Sequence, residues 1–269
     1  MRVFDNYHEY ELVLARNILV PFLKQRGVSL DGKRVLDVGC GEGGTLRGLA
    51  EQYSFEGLGI DQDAGMVSRC PAVRSVTFTE GDFFSHSFEG PYDFIILRDV
   101  LEHCGNCGAM LDKTASLLST GGAAYVTYTP FLSPFGGHQH NGSSVFSNVP
   151  YLHFLPKGLF DRLIRPQGNL YKSFPSLLSD IDSVFKTRLM TGDVKTACRK
   201  TGLAVSFSRH YLIRPDYRYK FGLPGVPFPG CFPLTSALDP FCTSVEMILE
   251  KRRHNDGNAG EVCQDRGAL

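Results

Sequence analysis

The sequence predicts an α/β fold in which helices cover both faces of a mostly parallel sheet, and three features of it carry that reading. From Lys33 onward short β-type runs alternate with helical patterns, as a sheet assembled from strand–helix–strand units reads. Most of the runs are continuously apolar and do not alternate, which strands buried on both faces require. The first run ends in Gly39, Gly41, Gly43 and Gly44, where absent side chains let the backbone turn tightly from strand into helix.

The elements follow in order. Residues 7–25 set Val13, Leu14, Ile18 and Phe22 at helical spacing, giving a helix ahead of the first strand with one face able to dock. Strands are expected at 34–38, 55–60, 75–79, 92–97 and 123–129, with helices starting near Gly44, Asp63 and Asn106. After Thr129 the pattern dissolves into TPFLSPFGGHQHNGSSVFSNVP, whose Pro, Gly and Ser predict a long loop or mobile segment and not a buried element. Amphipathic pieces at 151–164 and 177–185 follow, then a helix at 191–200 stopped by Gly202. Residues 203–213 and 243–251 read as the last two strands, held apart by a second Pro/Phe/Gly-rich segment at 214–240. One domain over 1–252 results, with its N-terminal helix in 1–30, its core in 33–130 and cap segments in 131–190 and 214–240. Residues 253–269 read as a disordered tail.

Composition narrows the function. The 269 residues carry 28 basic and 28 acidic side chains, and a net charge of zero argues against a partner with a phosphate backbone. No run approaches the roughly 18 apolar residues of a membrane span, and the start MRVFDNYHEYE lacks the basic-then-apolar order of a secretion signal. A soluble, cytoplasmic protein acting on neither nucleic acid nor membrane is expected. The eight Cys are scattered, as in a reducing compartment, and a chain of this size needs no disulfide framework. Cys104-Gly-Asn-Cys107 is the one short spacing; with no second pair to complete a zinc set it reads as two free thiols at a helix start.

The glycine loop of Val35-Leu-Asp-Val-Gly-Cys-Gly-Glu-Gly-Gly44 points to a nucleoside. The next strand ends in Asp61, 20 residues beyond Gly41, where a carboxylate can accept hydrogen bonds from both ribose hydroxyls. Gly39, Gly41 and Gly44 also satisfy the dinucleotide fingerprint. Asp37 separates the two readings: it would repel a pyrophosphate, whereas the ammonium and sulfonium of S-adenosylmethionine are attracted by an acid at that place.

With these residues the chain resembles the class I S-adenosylmethionine-dependent methyltransferases over about its first 130 residues. Asp37-Val-Gly39-Cys-Gly41-Glu-Gly43 looks like the family's first motif and Asp61 like its ribose acid. Glu80-Gly-Asp82-Phe83 looks like the third-strand motif, implying that Asp82 meets the adenine amino group and Phe83 packs on the ring. Tyr92 to His103 resembles the fourth strand with its following turn, and Thr120-Gly-Gly122 precedes the fifth. The resemblance implies a Rossmann-like, doubly wound, seven-stranded, mostly parallel sheet with a reversed C-terminal hairpin and a helical or loop cap inserted after strand five. Gln62 departs from the apolar residue commoner beside the ribose acid; with Arg98 it completes the expected cofactor-binding set.

Methyl transfer to a hydroxyl needs alignment, exclusion of water and a general base. His138 and His140 in the segment after the fifth strand are the candidate catalytic residues. Asp99, Glu102 and His103 resemble an acid-x-x-Glu-His pattern that holds a divalent ion in ubiquinone-type O-methyltransferases and small-RNA 3′-end methyltransferases, with His138 or His140 available as a further ligand; whether this chain uses a metal stays open. Phe131, Phe135, Phe146, Phe154, Phe160, Phe221, Phe228 and Phe232 fall in or near the cap segments, so they either wall an apolar or aromatic small-molecule acceptor or form a core for the cap. A small-molecule methyltransferase, most readily acting on oxygen, is the leading expectation. A nicotinamide-dependent oxidoreductase and a non-catalytic cofactor-binding interaction module are the alternatives.

Overall fold

A computed structural model of the chain describes residue 4 and residues 6–142, 144–164, 177–229 and 234–251. Cys231, Phe232, Cys263 and the expected tail at 253–269 lie outside the described residues. The chain starts with α1 (Tyr7–Leu14), a π-turn (Ala15–Leu19) and α2 (Val20–Gln25), the single helix expected at 7–25 with an irregular middle. Strand β1 (Arg34–Val38) leads through the glycine loop into α3 (Gly44–Ala50), followed by β2 (Glu56–Asp61), α4 (Ala64–Val67), β3 (Val76–Glu80), β4 (Tyr92–Arg98), α5 (Cys107–Leu117) and β5 (Leu118–Tyr128). Beyond them come α6 (Lys157–Ile164), α7 (Leu177–Thr187), α8 (Thr191–Thr201), β6 (Leu203–Ile213), α9 (Tyr217–Phe221), β7 (Val226–Pro227) and β8 (Ser244–Lys251). Asp63 and Asn106 cap α4 and α5 through their side-chain oxygens, and Gly202 ends α8 in the left-handed conformation. Cys104 and Cys107 are free thiols, and Cys107 is the first residue of α5.

The sheet runs β3-β2-β1-β4-β5-β8-β6-β7. The first five strands of that order pair in parallel, while β8 slots between β5 and β6 antiparallel to both, which is the reversed hairpin expected. An eighth, two-residue strand at the edge exceeds the seven anticipated. Thr120 to Gly122 does not precede β5 but lies inside it, at a bulge where the register jumps between the Tyr92–Leu118 and Phe94–Ala123 pairs. Successive residues of β4 serve opposite layers: Phe94 and Ile96 join the cluster with Val35, Leu46 and Phe22, while Ile95 and Leu97 join Leu36, Leu111 and Val194. A strand with two buried faces has to be apolar at every position, each such side chain contributing about 1.5–3 kcal/mol.

The first part of the segment expected to be a long loop or mobile segment is instead buried, while Val145, Phe146 and Val149 further on are exposed. Thr129, Ser133 and Gln139 are each no more than 1% exposed. Its backbone groups are satisfied locally, which makes burial tolerable. It coils through 3-10 turns at Gln139–Asn141, Val145–Asn148 and Leu152–Phe154, Phe131 N–H donates to the Leu189 carbonyl at 2.7 Å, and the Gln139 side-chain amide donates to the carbonyls of Pro134 and Val149. With α6 and α7 it forms a cap whose own core comprises Leu152, Phe160, Ile164 and Ile181.

Candidate active site

A cleft of about 360 Å³ opens where β1 to β4 end, and the cap faces those strand ends. On the strand side it is lined by Gly39, Gly41, Asp61, Gln62, Asp82, Phe83 and Arg98. The loop is pinned to β2, because the N–H groups of Gly39 and Cys40 both donate to the Ile60 carbonyl, at 2.8 and 3.1 Å. Gly41 N–H donates to one oxygen of Asp61 and Asp63 N–H to the other, each at 2.9 Å, so the carboxylate is held rigid at the strand end. Gly41 is demanded twice: its φ is +54°, and a Cβ there would stand 2.8 Å from the Tyr7 ring. Asp82 lines the cleft while also accepting a turn hydrogen bond from Ser85 N–H at 2.9 Å.

Two expected cofactor residues do not reach the cleft wall. Gly43 is the left-handed N-cap of α3, and its part is to turn the chain. Asp37 is buried beneath the loop, with one oxygen lacking a hydrogen-bond partner. Beside it Glu11, from α1, accepts from the Arg98 guanidinium at 2.8 Å. Burial pushes Glu11 up to about 8 and Asp37 up to about 7, in both cases against the pull of Arg98. The α1 helix is clamped over the loop by Glu42, which accepts from His8 N–H at 2.8 Å and Arg69 Nε at 2.7 Å, and Tyr7 and Tyr10 thereby reach the cleft.

Both histidines singled out face the cleft from the cap, in different states. His138 has a φ of +57°, rare outside glycine, just before a 3-10 turn. Its Nδ1 lies 3.1 Å from Asp180 Oδ2 of α7, and its Nε2 is buried without a hydrogen-bond partner. Burial alone would lower its pKa; the charge and hydrogen bond of Asp180 outweigh burial and hold it above the ordinary value. Asp180 is in turn drawn down to about 2, because His138 and His103 overcome the effect of its burial. His140 is pushed well below the ordinary value by burial and the neighbouring Lys220 charge, so its ring stays neutral.

The acid-x-x-Glu-His pattern is only partly kept as a unit. Glu102, His103 and His138 each offer a ligand atom within 4.8 Å of the others. Asp99 is engaged elsewhere, its carboxylate accepting from Arg214 at 2.6 Å and from the Thr127 hydroxyl at 3.1 Å. Of the described phenylalanines in and near the cap segments, none lines the cleft. Among the described residues the Phe side chains lining it are Phe83 and Phe84. Phe160 is in the cap core, Phe135 packs behind the wall on His140 and Tyr217, and Phe146 and Phe154 are on the outer surface. Sequence reasoning missed Glu11, Asp180, Arg214 and Lys220. The last two sit in a Pro/Phe/Gly-rich segment with no motif around them, and Asp180 is one of two acids on an amphipathic helix.

This sheet order, with a glycine loop and a carboxylate at the next strand end, defines the class I S-adenosylmethionine-dependent methyltransferases, and S-adenosylmethionine is the cofactor of that class. A family model described as a methyltransferase domain matches residues 7–168, and the chain belongs to that family. The match decides against the nicotinamide oxidoreductase. Curated relatives include the ubiquinone biosynthesis O-methyltransferase of Proteus mirabilis, 28% identical over 155 residues covering 54% of this chain and 60% of that protein. The Escherichia coli O127:H6 protein of the same name is 28% identical over 184 residues, covering 64% and 70%. The chain thus spans about 60% of the length of the Proteus relative. Among solved structures, Haemonchus contortus phosphoethanolamine N-methyltransferase 2 superposes with a TM-score of 0.55 at 15% identity, over 91% of this chain and 56% of that one. A Mesorhizobium loti S-adenosylmethionine-dependent methyltransferase gives 0.54 at 14%, over 86% and 96%. At such identities these likenesses show the fold. Among the described residues no helix is long and apolar enough to cross a membrane.

Proposed function

We propose that the protein methylates a hydroxyl oxygen of a small molecule, with His138 as general base and Asp180 as the residue that orients it. The observation carrying this is the Asp180–His138 pair at 3.1 Å on the cleft wall, with the other ring nitrogen, Nε2, buried and hydrogen-bonded to no protein group. The bound cofactor supplies an electrophilic methyl group on a sulfonium. Asp61 would hold the ribose hydroxyls, Gly39 and Gly41 would allow close backbone approach, and Asp82 and Phe83 would meet the adenine. His138 Nε2 accepts the acceptor hydroxyl's proton as oxygen attacks, and Asp180 steadies the imidazolium that forms. The names of the curated relatives favour oxygen as the acceptor atom.

A second reading uses the same atoms. Glu102 Oε2 and His138 Nε2 are buried without hydrogen-bond partners and His103 stands beside them, a carboxylate–imidazole donor set that fits a divalent cation. Such an ion would acidify a bound hydroxyl and relieve His138 of proton transfer. Purified enzyme treated with a chelator separates the two. Under the general-base reading, activity survives chelation, and Asp180→Asn, which removes the charge raising the His138 pKa, moves the acid limb of the rate profile to lower pH. Activity lost on chelation and restored by magnesium, manganese or zinc establishes the metal reading instead.

A further inference from the structure

We propose that Cys40 and Cys70 form an oxidation site, a thiol pair that a hydroperoxide closes into a disulfide, and that closing it weakens the hold of the glycine loop on S-adenosylmethionine. The proposal goes beyond the reading above and holds for any acceptor, because it concerns the cofactor wall alone. Both cysteines are free thiols, and their side chains are hydrogen-bonded to each other. They come from different elements. Cys40 lies inside the glycine loop, and Cys70 follows α4, its N–H donating to the Val67 carbonyl in the turn that ends that helix.

The pair is tied to one backbone oxygen. Cys70 Sγ donates to the Gly41 carbonyl at 3.5 Å, and Cys40 Sγ stands 3.9 Å from the same atom. Two glycines leave the room that the sulfurs fill: a Cβ on Gly43 would stand 3.1 Å from Cys70 Sγ, and one on Gly59 would stand 2.9 Å from Cys40 Sγ. Gly41 is also the residue whose N–H fixes Asp61 at 2.9 Å, and its φ of +54° and the Tyr7 ring beside it leave it no slack. A single residue therefore stands between the sulfur pair and the carboxylate proposed to hold the ribose.

The two thiols are not equivalent. Cys40 is 1% exposed, whereas Cys70 is half-buried and reachable from solvent. The hydrogen bond with Cys70, and after it burial, push the Cys40 thiol far up, so Cys40 stays protonated and Cys70 reacts first. Its sulfur attacks one oxygen of the peroxide: an S–O bond forms, the O–O bond breaks, and the departing oxygen leaves as water with the Cys70 proton. The Cys40 sulfur then attacks the sulfenic sulfur. An S–S bond forms as the S–O bond breaks, and the hydroxide leaves as a second water with the Cys40 proton. Two thiols and one hydrogen peroxide thus give one disulfide and two waters, the sulfurs losing the two electrons that the peroxide gains. An S–S bond of about 2.05 Å draws together sulfurs that stood at hydrogen-bond distance, and it removes both thiol protons facing the Gly41 carbonyl. With no slack at Gly41, the loop passes that shift to the Gly41–Asp61 contact.

The test treats the reduced full chain with hydrogen peroxide. One portion is capped with N-ethylmaleimide and its disulfides are mapped by mass spectrometry, and the other is titrated with S-adenosylhomocysteine by calorimetry. A peptide linked through Cys40 and Cys70 should appear, and affinity should fall at least about 10-fold, the worth of one hydrogen bond to a charged group, and return after dithiothreitol. Cys70→Ser, which keeps a donor for the Gly41 carbonyl, should bind S-adenosylhomocysteine as the reduced wild type does and keep that affinity in peroxide. Cys70→Ala should be equally insensitive to peroxide if the serine variant does not fold. The proposal is overturned if no link forms between Cys40 and Cys70, if the linked protein binds as tightly as the reduced one, or if peroxide weakens the Cys70 variants as much as the wild type. Failure of the cofactor assignment is seen separately, as reduced wild-type protein that does not bind S-adenosylhomocysteine.

Discussion

The two walls of the cleft were assembled differently. On the sheet side each functional residue stands at or next to a strand end: Gly39 after β1, Asp61 closing β2, Asp82 after β3, Arg98 closing β4. On the cap side the working groups converge from three separated stretches, with His138 to Asn141 after β5, Asp180 on α7, and Arg214 and Lys220 after β6. The contrast shows where function in such a chain is local. A strand end is both a structural and a chemical position, so one short motif marks both. A cap residue acquires its role only from partners some 40 to 80 positions away, as in the pairs His138–Asp180 and Asn141–Lys220.

Substitutions on the two walls should therefore separate acceptor chemistry from cofactor binding. The largest effect is expected for His138→Gln, with kcat falling about 10²- to 10⁴-fold, the range of lost general-base catalysis. Calorimetry should find its S-adenosylhomocysteine affinity intact; a kcat near wild type removes His138 from the chemistry. The converse is Asp61→Ala, which should weaken S-adenosylhomocysteine by about 10- to 100-fold through lost charged hydrogen bonds. Its kcat at saturating cofactor should largely persist, and unchanged affinity would refute the ribose role.

The smallest effect is one of pH on stability, to which Glu11 and Asp37 contribute on the sheet side. Glu11 and Asp37 have folded values near 8 and 7, above their ordinary values of 4.5 and 3.8, so between those limits the folded state binds more protons than the unfolded chain. Stability contributed by these groups is thus complete below about pH 4 and declines as pH rises toward 8. Thermal midpoints recorded across that window should slope downward, and Glu11→Gln should flatten the slope. An identical slope in the variant assigns the dependence elsewhere.

Much of the sheet was legible because its signals are local. The bounds of β1 and β6 and the capping roles of Asp63, Asn106 and Gly202 follow from apolar runs and from residues whose preferences act within a few positions. The start of β5 was not, since Gly121 and Gly122 suggest a turn and only pairing with β4 draws them into a bulged strand. The cap misled more. Pro, Gly and Ser in residues 129–150 predict exposure, yet 3-10 turns and the Gln139 side chain satisfy the backbone well enough to bury most of the stretch up to His140. Its phenylalanines were readable as apolar, with cleft wall and cap core both left open, and packing put Phe160 in the cap core.

From residues alone came the α/β class, the glycine loop, and Asp61 and His138 as candidates for ribose acid and base. Each depends on backbone preference or on spacing within one strand–loop–helix unit, which the chain specifies before it packs. The charge argument built on Asp37 did not survive packing, which buries that acid beneath the loop and away from the cleft wall. Tertiary structure alone decided that Asp180 pairs with His138, that Arg214 neutralises Asp99, and that the cap wall of the cleft is polar with Lys220 in it. Those roles are electrostatic, and the strength of a charge depends on its burial and on the neighbours that long-range folding brings beside it.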